Sequence, residues 1–346
     1  MGTMGTLSLS NYEDVSIETP WGELSGRWYG NRSERPILAI HGWMDNLGSF
    51  DRLIPLLPDY LGVLCIDLAG HGCSSSLPPG LHYSADDWIL TIARVMKAYK
   101  WQKVSLMGHS LGGILSFIFT ALGPHRVDLL ITLDVLVAPL ESAESINTMA
   151  YFMEKHLVEE ERTALAGMME PLTYSLPQLR HILSKGSSNS VPPELTHHLM
   201  YRTVAKSKLY PDKFYFTRDG RTKFYSLLPM NPGLAAELAR CIKDTPYLVL
   251  KGSKSHFIGP GSDEAISILK SQNPHFEIYE LPGAHHVHIT CPDLCAKHIV
   301  PFLRRHRPPK VEGWSLADGD AALSAREHRE AQESFFARSQ KRQHKL

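Results

Sequence analysis

The chain has 346 residues, enough for one large α/β domain or two small ones, and its 43% hydrophobic and 21% charged content is that of an ordinary globular protein. Its 36 basic and 36 acidic residues cancel, so no global charge steers it toward nucleic acid or an anionic membrane. Five scattered cysteines (Cys65, Cys73, Cys241, Cys291, Cys295), odd in number and without CxxC spacing, read as a reduced, intracellular thiol set rather than a disulfide framework.

The N-terminal stretch MGTMGTLSLSNYED has neither a basic n-region nor an apolar h-region, so secretion is not expected. Gly2 and Thr6 match the short myristoylation pattern M-G-x-x-x-[ST], a match that chance often supplies. Residues 1–14 are expected to be a flexible lead. No apolar run approaches the ~18 residues of a bilayer span, so stable membrane insertion is not expected.

VSIETPWGELSGRWYG reads as an opening hairpin around Pro20 and Gly22. ILAIHG (37–42), VLCIDLAG (63–70), VSLMGHS (104–110), LLITLDVL (129–136), YLVLKGS (247–253) and HFEIYELPG (275–283) are near-continuous apolar runs, as strands covered on both faces require. Helical patterns alternate with them: SADDWILTIARVMKAY, with Ser84 as N-cap, then LGGILSFIFTAL, DEAISILKS and PDLCAKHIVPFL. This repetition predicts a largely parallel sheet with helices on both faces, and a site at the carboxyl ends of the strands. Residues 140–235 break the rhythm with helical patterns, the polar stretch KGSSNSVPPE and the aromatic segment KFYFTRDGRTKFY. They are expected to form a helical cap over a core made of 15–139 and 236–306. Beyond 307 the chain turns polar and reads as a flexible tail. Its last residues, His344-Lys345-Leu346, weakly resemble the peroxisomal address S-K-L, which makes a peroxisomal import receptor a candidate partner.

SLMGHSLG (105–112) carries the chemistry. Gly108 and Gly112 bracket Ser110 in the pattern G-x-S-x-G, after a strand and before a helix, where small neighbours let a serine sit on a sharp turn. Such a serine needs a base, donors for an oxyanion and a carboxylate to orient the base. The donors are expected from the N–H of Leu111 and from the N–H of Trp43, in the turn after ILAIHG. The base is expected in FEIYELPGAHHVHITCP. His285 is favoured there, with His286 and then His288 as alternatives, since neighbours in an extended segment face opposite ways. His71 and Asp67 read as loop-ordering residues, His109 as the variable residue of the elbow, and Cys291 and Cys295 as packing rather than a metal pair. Arg218-Asp219 in the cap reads either as a substrate contact or, the favoured reading, as a mutual structural pair.

The order HGWMD, DLAGHGCSS, GHSLGG, PGAHHVHITCP resembles the α/β-hydrolase superfamily over roughly residues 15–305. With FTRDGR, it resembles the serine hydrolase-like proteins of animals, related to the kraken group. The resemblance implies an eight-stranded, mostly parallel sheet, a helical cap after strand six and Ser110 as nucleophile. The superfamily's catalytic histidine commonly precedes by seven residues a proline that opens the last helix; counting back from Pro292 gives His285. Its acid usually follows strand seven, but here Ser255 occupies that place in LVLKGSKSHFIGP. Related haloalkane dehalogenases use a carboxylate ending strand six instead, which here is Asp134; Asp263 and Glu264 are the alternatives. The expectation is a cofactor-independent serine hydrolase, without a metal, acting on a small or medium apolar ester in the cytoplasm, perinuclear region or peroxisome. The alternatives are a non-catalytic ligand-binding protein of the same fold and, with serine where a carboxylate is wanted, dehalogenase- or epoxide-hydrolase-like chemistry.

Overall fold

The computed structural model describes residues 6–138, 144–165, 170–225 and 230–309. Gly2, the tail from residue 310 and the His344-Lys345-Leu346 terminus lie outside the described residues. In chain order the elements are β1 (Tyr12–Thr19), β2 (Gly22–Gly30), β3 (Ile37–Ile40), β4 (Gly62–Ile66), α1 (Ala85–Ala98), β5 (Val104–His109), α2 (Leu111–Leu122), β6 (Val127–Leu133) and α3 (Glu144–Leu165). They continue with α4 (Leu176–Gly186), α5 (His197–Met200), β7 (Val204–Lys206), β8 (Phe214–Phe216), α6 (Pro232–Cys241), β9 (Tyr247–Gly252), α7 (Asp263–Gln272), β10 (Phe276–Leu281), α8 (Val287–Thr290) and α9 (Pro292–His306).

Eight strands form one sheet in the order β1-β2-β4-β3-β5-β6-β9-β10. β2 runs antiparallel to both β1 and β4, while β4, β3, β5, β6, β9 and β10 pair in parallel in that order. β3 shows why the inner strands are apolar throughout. Leu38 and Ile40 pack into the core on the face of α1 and α2, with Trp88, Ile92 and Leu115, while Ile37 and Ala39 pack on the opposite face with Leu53, Ile299 and Phe302. Successive side chains leave a strand on opposite faces, so a strand buried on both admits no polar alternation.

Four details differ from the sequence reading. The N-terminal segment is ordered earlier than residue 15: Leu7 is buried and its N–H donates to the Leu57 carbonyl, and β1 begins at Tyr12. Gly30, at φ 72°, makes room for it, since a Cβ there would stand 2.2 Å from a Leu7 methyl. ESINTMAYFMEKHL and EEERTALAGMMEPL read as two helical patterns of the cap, but α3 runs unbroken from Glu144 through the first into the second, to Leu165. The segment between β6 and β9 also contains a two-stranded antiparallel sheet, β7–β8, where Val204 pairs with Phe216. The helix α6 escaped the sequence reading although Asn231 caps it and Pro232 opens it.

The insertion sits on the carboxyl ends of β3 and β4. Asn46 Nδ2 donates to the Leu199 carbonyl at 2.7 Å, and Asp219 N–H to the Gly70 carbonyl at 3.0 Å. Arg202 Nε and Nη2 reach Asp67 Oδ2 at 2.9 and 2.8 Å, and this pair is buried. Asp67 also accepts from Leu47 N–H and Cys73 N–H. No helix among the described residues is long and apolar enough to cross a membrane.

Candidate active site

Ser110 stands between β5 and α2 with φ 49° and ψ −118°, a conformation that L-residues rarely adopt. The turn closes because its flanking glycines touch backbone. A Cβ on Gly108 would lie 2.3 Å from the Gly112 carbonyl oxygen, and one on Gly112 would lie 2.1 Å from the Ile40 carbonyl oxygen. Gly112 N–H instead donates to the His41 carbonyl at 3.1 Å, which seats the start of α2 against the end of β3.

Two histidines fix the turns around this corner. His41 Nε2 accepts from Leu68 N–H at 3.0 Å, which leaves Nδ1 to donate to the Gly42 carbonyl. His71 accepts from Met44 N–H and donates to the Ala69 carbonyl; burial pushes its pKa down to about 3, so it stays neutral. His71 and Asp67 therefore order loops, as their places in the sequence suggest.

Beside Ser110 lies His285, brought by the loop after β10. Its Nε2 is 2.8 Å from Ser110 Oγ and its Nδ1 is 2.6 Å from Asp134 Oδ2. Asp134 directly follows β6, is fully buried, and has φ 54°. Its other oxygen accepts from Gly252 N–H at 2.7 Å, and its own N–H donates to the Leu250 carbonyl. These bonds lock the carboxylate between the ends of β6 and β9. Burial lowers the pKa of the His285 imidazole, with the Asp134 bond opposing that shift. Phe257 stacks on the ring at 3.7 Å between centroids.

Leu111 is the first residue of α2, so its N–H has no partner inside the helix. Trp43 follows the β3 turn; its side chain is partly exposed, and its Nε1 donates to the Thr222 carbonyl of the insertion at 2.8 Å. The alternatives fall elsewhere. His286 points away from Ser110, with Nδ1 2.6 Å from Ser190 Oγ and Nε2 3.3 Å from Asp45 Oδ2. His288 is fully buried beside His109 and Phe50. Asp263 opens α7 on the surface, and Glu264 faces Arg240. Ser255, where an acid after strand seven was sought, closes a turn onto the Gly252 carbonyl and accepts from Phe257 N–H.

All five cysteines are free; Cys295 is buried and its pKa is pushed up to about 12, as packing requires. Asp219 pairs with Arg221 and accepts from the Tyr83 hydroxyl, not with Arg218 as its neighbour in sequence suggested. Arg218 instead lies over the Phe216 ring at 4.0 Å, with Nε and Nη1 buried and without a hydrogen-bond partner among the described residues. Sequence reasoning passed over Phe257, Asp45 and Ser190. Asp45 closes the HGWMD stretch but nothing local marks its role, and the contacts of the three join segments 28, 241 and 96 residues apart.

A strand-end serine on a strained elbow, with a late-loop histidine and a buried carboxylate in register, defines a hydrolase-type site on an α/β scaffold. The chain belongs to the alpha/beta hydrolase fold family, whose model matches residues 35–292. It is 34% identical over 310 residues to a probable serine hydrolase of Drosophila melanogaster, covering 86% of this chain and 89% of that protein. It is 32% identical over 304 residues to human serine hydrolase-like protein 2, covering 84% and 94%. Among solved structures it is similar to a hypothetical protein of Pseudomonas aeruginosa, with a TM-score of 0.69 and 26% identity, covering 85% of this chain and all of that one.

Proposed function

We propose that the protein is a serine hydrolase that transfers the acyl group of a small or medium apolar ester to water. The observation that carries this reading is the unbroken chain Ser110 Oγ, His285 Nε2, His285 Nδ1, Asp134 Oδ2 at 2.8 and 2.6 Å. Asp134 accepts from Nδ1–H, which leaves the Nε2 lone pair facing the serine hydroxyl. Ser110 Oγ attacks the ester carbonyl while His285 takes its proton, and the imidazolium is stabilised by Asp134. The tetrahedral oxyanion is received by the N–H groups of Leu111 and Trp43, each such donor contributing on the order of 10²–10³ in rate. His285 returns its proton to the alcohol as the carbon–oxygen bond breaks; a water, deprotonated by the same nitrogen, then releases the acid and restores Ser110.

An apolar substrate is favoured by the aromatic surface at the site. Phe257, stacked on His285, and Trp43, beside Tyr225, both keep part of their rings exposed. The relatives' names, a probable serine hydrolase and a serine hydrolase-like protein, agree with the chemistry and leave the substrate open. The test is labelling with a fluorophosphonate, which reacts with an activated serine. Wild type is expected to be labelled and Ser110→Ala not; equal labelling of both overturns the assignment. An ester chain-length panel on the wild type then ranks acyl preference.

A further inference from the structure

Asp45, His109 and His286 meet behind the catalytic loop, all three buried, each offering one ligand atom within 4.8 Å of the others. The outer partners of the two histidines settle which ring nitrogens carry hydrogen. His109 Nε2 is 3.2 Å from the His285 carbonyl oxygen, which only accepts, so Nε2 is the donor and Nδ1 is a lone pair. Ser190 Oγ donates its single hydrogen to the Ser187 carbonyl, so toward His286 it accepts; Nδ1 of His286 carries the hydrogen and Nε2 is a lone pair. Both lone pairs converge on Asp45 Oδ2, from 3.5 and 3.3 Å.

With both rings neutral, three acceptors face one another with no donor between them, and His109 Nδ1 has no hydrogen-bond partner among the described residues. Such a triangle calls for a cation: a proton on His286 would satisfy only the His286–Asp45 pair and leave the buried His109 Nδ1 unpartnered, whereas a metal ion meets all three atoms. We propose that Asp45 Oδ2, His109 Nδ1 and His286 Nε2 form a binding site for a divalent first-row transition ion of the zinc type. The spacing agrees. Two ligands bound at about 2.0–2.1 Å around a tetrahedral ion stand about 3.3 Å apart, close to the two separations observed. Two imidazoles and one carboxylate suit zinc-type ions rather than calcium or magnesium, and three protein ligands leave one position for water. The outer bonds, from one ring to a backbone carbonyl and from the other to a hydroxyl, are those that orient metal-bound histidines. Gly42 keeps the space free, since a Cβ there would stand 2.8 Å from His109 Nδ1 and 3.2 Å from Asp45 Oδ2. An ion here grips the 285–286 peptide from both sides, through His286 directly and through the His109 bond to the His285 carbonyl.

This site does not depend on the hydrolytic reading. The test is equilibrium dialysis of the full chain against Co²⁺ or Zn²⁺, with long equilibration because the site is buried. Metal content and the visible absorption of bound Co²⁺ are the readouts. Wild type and Ser110→Ala are expected to bind one equivalent, as is the Cys291→Ser/Cys295→Ser double variant. Asp45→Asn and His286→Gln are expected to weaken binding at least ~100-fold, and Ser190→Ala, which removes only an outer bond, about 10-fold. Thermal melting of the metal-free variants confirms folding; if Asp45→Asn and His286→Gln do not fold, Ser190→Ala decides. No bound Co²⁺ in wild type overturns the proposal, as does undiminished binding in the folded ligand variants or in Ser190→Ala. Loss of binding in Ser110→Ala places the ion on the catalytic residues and likewise overturns it.

Discussion

Replacing Asp134 by Asn leaves the shape of the site and changes the chemistry of one atom, and the structure dictates which way the new amide turns. Gly252 N–H donates to Oδ1 at 2.7 Å, so the amide oxygen must take that position and the NH₂ must take the position of Oδ2. There it faces His285 Nδ1, now at 2.6 Å from a donor, and forces the ring into the tautomer with hydrogen on Nε2. A ring protonated on Nε2 cannot receive the Ser110 proton. The same change in serine-protease triads lowers turnover about 10⁴-fold, which is about 5 kcal/mol of transition-state stabilisation. Folding is expected to survive, because Asn is the same size and tolerates the φ of 54° found at this position. The assay is the second-order rate of fluorophosphonate labelling, which needs no knowledge of the natural substrate, together with turnover of a p-nitrophenyl ester. Asp263→Asn, on the surface at the start of α7, serves as the control and is expected to label like wild type. An Asp134→Asn rate within tenfold of wild type, or a collapse of Asp263→Asn, refutes the assignment of the acid.

Burial lowers the pKa of His285. Its neutral form is the active base, so labelling is expected to hold as pH falls and to fail only through a midpoint below the ordinary ~6.5; a midpoint at or above that value contradicts the stated environment. Arg202→Met strands the fully buried Asp67 carboxylate, and urea unfolding is expected to show a loss of about 3–5 kcal/mol; a change under 1 kcal/mol contradicts the buried pair. Gly112→Ala drives a methyl to 2.1 Å from the Ile40 carbonyl, a backbone contact that cannot yield, so it is expected to cost ~3 kcal/mol or more and to abolish labelling. A stable, labelled Gly112→Ala protein contradicts the packing of the elbow.

The elements that were legible in the sequence are those whose signals are local. The strand runs at 37, 63, 104, 129, 247 and 275 each match a strand to within a few residues, because a strand buried on both faces must be apolar at every position. The helix LGGILSFIFTAL matches α2 residue for residue, since the glycine-flanked serine imposes the turn that starts it. The cues for β7 and β8 were weaker: three-residue strands are too short for a period to show. The N-terminal boundary was misplaced for a different reason, because Leu7 is ordered only by the distant groove beside Gly30 and Leu57.

The sequence by itself determined the elbow, since the close approach of Gly108 to Gly112 acts across five residues of one chain, while the contact of Gly112 with Ile40 came with the tertiary fold. It also confined the base to a short loop and the acid to one strand end, Asp134, or the start of one helix, Asp263 and Glu264. Tertiary structure alone decided that His285 rather than His286 faces Ser110, and that Asp134 rather than Asp263 faces His285. Those pairs are 175 and 151 residues apart. Their distances depend on the order in which parallel strands lie side by side, and hydrogen bonding between β6, β9 and β10 fixes that order. The meeting of Asp45, His109 and His286 arises in the same way, from two loops and the last residue of β5, which share only the carboxyl edge of one sheet.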